Sequence, residues 1–508
     1  MTPLDRRAVP PGAVTRAVAS LMAVALLTGC AVGPNFTRPA APPVDSYARP
    51  SLSSTTAAVD VPGGDAQRLL PGGEIPHDWW TLFESPGLNA LVERAVRANP
   101  TLVAAQQSLR QATALVSAQR GLFFPTLQGS FAPSYQRTSA TFSNPLTDPN
   151  QFTYTLYTAQ VSVGFMPDVF GGTRRQLESL LGQAEAQRFQ LEAAYMTLTS
   201  NVVAAAVQEA SLRAQLAATR EIIAISTRSL DLVRRQFQLG AVSGLEVSAQ
   251  ETALAQVEQT LPPLQKQLEQ NRNLLTALAA RLPSDDPDET FELASFRLPT
   301  DLPVSVPSRL VEQRPDVRAA EAQLHAASAQ IGVAVANQMP QFTITGAYGG
   351  TSTAFTQLFA NGNPFWTIAG NLAQSIFDGG TLLYRRRAAE AAFEQAAAQY
   401  RSTVITGFQN VADTLYALQA DAASLTAAVG AERAARMTLD ITLKQQELGA
   451  VNYLALLSAR QAYQQTLIAH VQAQASRLAD TAALFQALGG GWWNRPPAAP
   501  TTGEAAER

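Results

Sequence analysis

Residues 172–240 read GTRRQLESLLGQAEAQRFQLEAAYMTLTSNVVAAAVQEASLRAQLAATREIIAISTRSLDLVRRQFQLG. Leu177, Leu181, Ala184, Arg188, Leu191, Tyr195, Leu198, Val202, Ala205, Glu209, Leu212, Leu216, Thr219, Ile223, Ser226, Leu230, Val233 and Phe237 recur at intervals of four and three. That spacing puts them on one face of a single helix, mostly apolar and uninterrupted by proline. At 1.5 Å per residue the helix would run roughly 90 Å, well beyond what globular packing needs. Helices of this kind bury their stripe against partner helices. Val411, Leu415, Leu418, Ala422, Leu425, Val429, Leu439 and Leu443 repeat the stripe later in the chain. Gly240 and Gly449 are natural turns into return helices, and Pro262-Pro263 predicts a break in the first of these.

The two long helices belong to a duplication. Asn99-Pro100 opens a helical stretch closing at Phe124-Pro125, and Arg314-Pro315 opens one closing at Met339-Pro340, each over 25 residues. Phe170-Gly171-Gly172-Thr173 and Phe377-Asp378-Gly379-Gly380-Thr381 follow, then Leu239-Gly240-Ala241-Val242 and Leu448-Gly449-Ala450-Val451. Gly172 to Gly240 is 68 residues and Gly380 to Gly449 is 69. Three matches in the same order mark halves at 87–281 and 309–487. A Pro/Asp-rich linker, 282–308, joins them, and 488–508 forms a C-terminal tail.

Each half also predicts two strands before its long helices. Leu127, Phe131 and Tyr135 alternate with Gln128, Ser130 and Ser134; Ala159, Val161, Val163 and Phe165 alternate with Gln160, Ser162 and Gly164. Phe342, Ile344, Gly346 and Tyr348 alternate with Thr343, Thr345 and Ala347; Trp366, Ile368 and Leu372 alternate with Thr367 and Asn371. This period-2, aromatic-decorated pattern suits membrane barrel strands, or a soluble antiparallel sheet. After the N-terminal run no apolar stretch is long enough for a spanning helix, so any membrane crossing falls to strands. Four strands leave open edges that lipid does not tolerate, so several copies would have to combine, and three would give twelve strands.

The N-terminus reads as a secretory signal over 1–29. Arg6, Arg7 and Arg16 precede an apolar run from Ala17 to Leu27, too short to span a bilayer comfortably. Leu27-Thr28-Gly29-Cys30 matches a lipobox, in which the cysteine sulfur takes a diacylglyceryl group. Cys30 is the only cysteine of the 508 residues, which favours lipidation over an ordinary signal and excludes an intrachain disulfide. Ala31, rather than an aspartate, predicts sorting to the outer membrane. Residues 30–86 are expected to form a lipidated tether, rich in Pro, Ala, Ser and Gly up to about 75. The net charge of -3, without a basic stripe, gives no support for nucleic-acid binding.

These features resemble the TolC-like outer membrane factors, specifically the NodT-type lipoprotein branch serving RND pumps. The likeness rests on Cys30, Trp79-Trp80, the two Leu-Gly-Ala-Val turns, the run Val306-Pro307-Ser308-Arg309-Leu310-Val311-Glu312-Gln313-Arg314-Pro315-Asp316-Val317-Arg318-Ala319-Ala320-Glu321, and Ser375-Ile376-Phe377-Asp378-Gly379-Gly380. It implies an α+β membrane protein: a homotrimer with a twelve-stranded outer-membrane β-barrel, four strands per chain, continuing into an α-helical coiled-coil periplasmic tunnel. It implies partnership with a periplasmic adaptor and an inner-membrane pump, and a passive efflux duct for small molecules. No cofactor is implied beyond the covalent lipid on Cys30. The pump supplies the energy, and no Gly-rich phosphate loop occurs here. In the family the tunnel narrows near the helix turns; the matching positions are Glu246, Leu454 and Ser458. The usual acidic, tyrosine and basic latch sites are occupied by Ser458, Gln446, Glu447 and Val451, which puts a charged latch in doubt and leaves an apolar ring at Leu454. The alternative for all three is ordinary helix packing.

Other function classes fit less well. His77, His325 and His470 lack metal-ligand spacing, and no nucleophile elbow appears, so an enzyme is not expected. A periplasmic adaptor would carry one helical hairpin between strand-rich halves, not two hairpins each with a strand pair. A type I protein-secretion duct shares the same architecture and stays open as an alternative, since the sequence does not specify the cargo.

Overall fold

The computed structural model describes residues 31–47, 53–137, 153–285 and 288–495. Cys30 and the signal expected before it lie outside that range. Within it the chain divides into two compact units: one holds the residues up to Arg38, Leu109–Ala186 and Ala320–Tyr400; the other Pro39–Ser108, Gln187–Ala319 and Arg401 onward.

The duplication is explicit in the element order. Helices α1 (Pro86–Ala98) and α2 (Pro100–Gly121), strands β2 (Thr126–Arg137) and β3 (Thr153–Phe165), then helices α3 (Gly172–Gln238) and α4 (Gly244–Leu278) make the first half. Helices α5 (Pro307–Gln313) and α6 (Pro315–Ala336), strands β5 (Gln341–Ser352) and β6 (Pro364–Ala373), then α7 (Thr381–Glu447) and α8 (Tyr453–Ala487) make the second. Helices α3 and α7 each have 67 residues, and α4 and α8 each have 35. Proline opens α1, α2, α5 and α6, where its missing N–H leaves no intrahelical bond unmade. Asn99 and Arg314 hold the extended geometry required before proline.

In the first unit β2-β3-β5-β6 form one antiparallel sheet. In the second, the stripe of α3 is buried at Leu198, Val202, Ala205, Leu212, Leu216, Leu230 and Val233, and that of α7 at Val411, Leu415, Leu418, Leu425 and Val429.

One expectation needs correction, and two further segments pack more deeply than their composition suggests. Helix α4 runs through Pro262 and Pro263 without a break. The carbonyls that lose their N–H partners belong to Glu258 and Gln259, both exposed and so open to hydration, while Ala253, Val257 and Leu275 anchor the helix on both sides. The tether is not free of the body. Strand β1 (Arg68–Pro71) pairs in parallel with β4 (Asp301–Val304), and Ile75, Trp79 and Phe83 are core. Trp79 stacks on Phe485 at 5.4 Å. Upstream, the Arg477 guanidinium is buried and donates to the Gly63 carbonyl and Thr56 Oγ1, each at 3.1 Å. The linker likewise supplies Phe291, Phe296, Leu298 and Leu302 to the core. These segments are short and interrupted by proline, so no periodicity announced their burial.

Candidate channel wall and gate

Register decides what the sheet can do. Leu127 pairs with Val163, Phe131 with Ala159, Val163 with Gly346, Val161 with Tyr348, Phe342 with Leu372, Gly346 with Ile368 and Tyr348 with Trp366. Directly paired residues share a face, so the apolar positions of all four strands collect on one side. The other side carries Gln128, Ser130, Gln160, Ser162, Thr343, Thr345, Thr367 and Asn371. The apolar side stays uncovered, with Leu127, Trp366 and Ile368 each about three-quarters exposed (73%, 73% and 75%). A surface this large and apolar fits hydrocarbon rather than water. The strands have 10 to 13 residues, enough to cross a bilayer when tilted. Aromatics mark both ends of the sheet, as membrane girdles require. Phe170 lies 6.4 Å from Phe342 at the helix end, and Phe131, Tyr157 and Phe355 cluster towards the other. Strands β2 and β6 have no outer neighbour among the described residues. Among the same residues, no helix is long and apolar enough to cross a membrane, and no group of three or more His, Cys, Asp or Glu is placed to hold a metal ion.

Asp378 caps α7, accepting from the N–H groups of Gly380 and Leu382 at 2.8 Å. The Leu382 bond, with that of Gly380, holds its carboxyl below the ordinary range. Asp168 likewise caps α3, accepting from the N–H groups of Thr173 and Arg174.

The hairpin turns of the two halves are copies of one another. Gly240 N–H donates to Phe237 O and Ala241 N–H to Gln236 O; Gly449 donates to Gln446 O and Ala450 to Gln445 O. Both are Schellman turns, and both glycines sit at positive φ, 74° and 69°. Each return helix then starts three residues after the glycine, from Ser243 or Asn452 as N-cap.

The three gate candidates fall just beyond these turns. Glu246 reaches back one turn and accepts from the Ser243 N–H at 2.5 Å and Ser243 Oγ at 2.6 Å, the carboxylate half of a capping box. The Ser243 hydroxyl lowers its pKa. Leu454 is 51% exposed, and Ser458, one turn on, is exposed on the same face. Their neighbours Tyr453 and Leu456 turn inward against Val233.

Tyr453 and Arg460 are functional candidates that the sequence did not single out. The Tyr453 hydroxyl donates to Gln250 Oε1 and lies 3.4 Å from Ser229 Oγ. Arg460 donates to Ser229, and Gln250 Nε2 donates to the Ser226 carbonyl at 2.9 Å. Burial lowers the Arg460 pKa. This network ties α8 to the α3–α4 hairpin. Its one trace in the sequence is Ser226, a polar member of the apolar stripe.

Known proteins share this arrangement. A Pseudomonas putida pyoverdine export outer membrane protein, OpmQ, is 29% identical over 416 residues, covering 82% of this chain and 88% of its own. The Pseudomonas aeruginosa outer membrane protein OprJ is 29% identical over 481 residues, 94% of this chain and 96% of its own. Among solved structures, the outer-membrane channel OprN superposes with a TM-score of 0.80 at 24% identity, over 91% of this chain and all of its own. The Campylobacter jejuni CmeC channel gives 0.80 at 21%, over 92% and 96%. Residues 91–281 and 306–490, the two duplicated halves, match the model of the outer membrane efflux protein family, and the chain belongs to that family.

Proposed function

We propose that three copies close into a twelve-stranded barrel whose helices form a periplasmic tunnel, a passive exit duct for small molecules delivered by an adaptor and an inner-membrane pump. The observation that carries this reading is the one-faced sheet, whose outer strands have no further neighbour among the described residues, together with a pair of matched helical hairpins. Open edges in lipid cost several kcal/mol per unpaired group, and β2 of one copy offers β6 of the next the pairing each lacks. Cys30 is the lipid anchor in this reading. Leu454 forms an apolar ring at the narrow end of the tunnel, with Glu246 and Ser458 setting the local charge. The relatives' names favour small-molecule cargo over polypeptides: OpmQ for pyoverdine and TtgC for toluene. Native mass spectrometry of detergent extracts should give trimers, and planar bilayers should show discrete conducting steps. A monomeric pore, or trimers that never conduct, would refute the proposal.

A further inference from the structure

We propose that the first two turns of α7 bind the phosphates of anionic phospholipids in the periplasmic leaflet of the outer membrane. The inference rests on the sheet being the membrane-spanning part. Strand β6 ends at Ala373 and α7 begins at Thr381. Between them Ile376 and Phe377 are almost wholly exposed, 99% and 91%, and follow the exposed Leu372 in the chain. Tyr384 follows, also exposed, and then the exposed run Arg385-Arg386-Arg387. Apolar side chains, a tyrosine and then cations, in that order along the chain, match the passage from hydrocarbon to headgroup. Arg385 lies roughly 6 Å along the helix from Thr381, at the depth of a headgroup layer of roughly 6 Å. Arg387 lies roughly 9 Å along, and its long side chain leans back toward the helix N-terminus and so toward that layer.

The repeated architecture does not demand these arginines. Aligning Gly172 with Gly380 puts Leu177-Glu178-Ser179 at the matching positions of the first half. There the nearby Arg175 is spent internally, donating to Glu178 at 2.7 Å and to the Val32 carbonyl at 3.1 Å. In the second half Arg386 pairs with Glu390 at 2.8 Å, and Arg387 lies 5.5 Å from the centre of the Tyr384 ring. Arg385 has no hydrogen-bond or ion-pair partner among the described residues. Asp378 already takes backbone N–H groups at this end of the helix, so binding falls to the side chains. The two arginines project from different sides of the helix, so each guanidinium holds its own lipid phosphate, with acyl chains lying against Ile376 and Phe377.

The test uses full-length protein in nanodiscs of equal phosphatidylglycerol and phosphatidylethanolamine, comparing wild type with R385Q/R387Q. Glutamine keeps the helix propensity and the Arg386–Glu390 pair. Native mass spectrometry should find phosphatidylglycerol retained preferentially by the wild type and retained roughly tenfold less by the double variant, with subunit number and conductance unchanged. Equal retention by both proteins would overturn the proposal. So would a double variant that falls apart into single chains, because the arginines would then be serving a second copy. A wild-type chain that never conducts in bilayers would overturn the barrel reading itself, and the lipid site with it.

Discussion

The Tyr453 hydroxyl donates to the side chain of Gln250, joining the first turn of α8 to α4 across the boundary between the two halves. Tyr453 is 7% exposed, and Gln250 is held from its other end by the Ser226 carbonyl. Removing the hydroxyl would leave Gln250 Oε1 short of a donor in a buried setting, at a local cost of about 1–3 kcal/mol. Tyr453→Phe keeps the ring and its packing, so it isolates what the hydroxyl contributes through Gln250 and Ser229. It is expected to raise conductance or open probability in planar bilayers and to lower the thermal midpoint slightly. In conductance Gln250→Ala should add little on top of it, because both remove the tie between α8 and α4, while its loss of the Ser226 bond should lower the thermal midpoint further. Unchanged conductance in both would make the pair a packing feature only.

The gate candidates separate by what each side chain does. Leu454→Ala removes apolar bulk from an exposed position and should raise single-channel conductance if three copies form a ring. Glu246→Gln should lower cation preference, since three carboxylates near one axis attract cations. Glu246 also holds Ser243, so Ser243→Ala serves as the control for a weakened cap; a loss of preference in both would assign the effect to the cap. Ser458→Asp should raise cation preference if the position lines the lumen. Wild-type conduction in all three gate variants would put the constriction elsewhere.

The sequence made the fold legible wherever one periodicity ran long enough. The stripe from Leu177 to Phe237 and the alternation in four strands fixed element types, and the paired glycine turns revealed the duplication. Two ends of the stripe were misleading: Leu181 and Phe237 are exposed, while between Leu198 and Val233 every stripe member is buried except the half-buried Ile223. Pro262-Pro263 misled because a proline's cost depends on whether the carbonyls it strands are wet, which the sequence does not state. The Tyr453–Gln250–Ser229–Arg460 network was hidden for another reason. Its members lie 203 to 231 residues apart where they cross between halves, and a single serine in the stripe, Ser226, does not name the partners it meets.

Asp421 gives the helices a pH dependence. Its carboxyl is pushed up to about 7, first by burial and then by the neighbouring Asp480, against the opposing pull of Arg477. Asp65 adds to the field around Arg477. Asp421 Oδ2 is buried without a hydrogen-bond partner, and a proton shared with Asp480 would supply one. The folded-state pKa lies above the unfolded value, so the folded chain binds more protons between about pH 4 and 7. Stability from this pair is therefore full below pH 4 and is lost as pH rises through 7. Asp421→Asn should flatten that part of the profile and raise the thermal midpoint at pH 8 relative to wild type. Parallel wild-type and variant curves from pH 4.5 to 8 would show that the two carboxyls do not share a proton.

The proposed lipid anchor and the docking of the chain just after it can be tested separately. Cys30 is expected as the mature first residue, diacylated and N-acylated; an unmodified terminus elsewhere, found by mass spectrometry, would sink that expectation. Directly downstream, Val32 N–H donates to the Phe170 carbonyl at 3.1 Å, Arg175 donates to Asn35 Oδ1 at 2.7 Å, and Phe36 stacks on His325 at 4.5 Å. Gly171, at a φ of 78°, lets Ala31 come so close that an added Cβ would meet the Ala31 Cα at 2.5 Å. Cys30→Ser should therefore abolish acylation and leave assembly and docking intact, because a lipid chain adds only modest binding beside a closed barrel. Gly171→Ala combines a strained φ with a backbone clash and should free residues 31–38. Limited proteolysis reads that release directly: the C30S/G171A pair should be trimmed at its N-terminus faster than C30S alone. Equal trimming would mean that Arg175 and Phe36 hold the segment without the contact at Gly171.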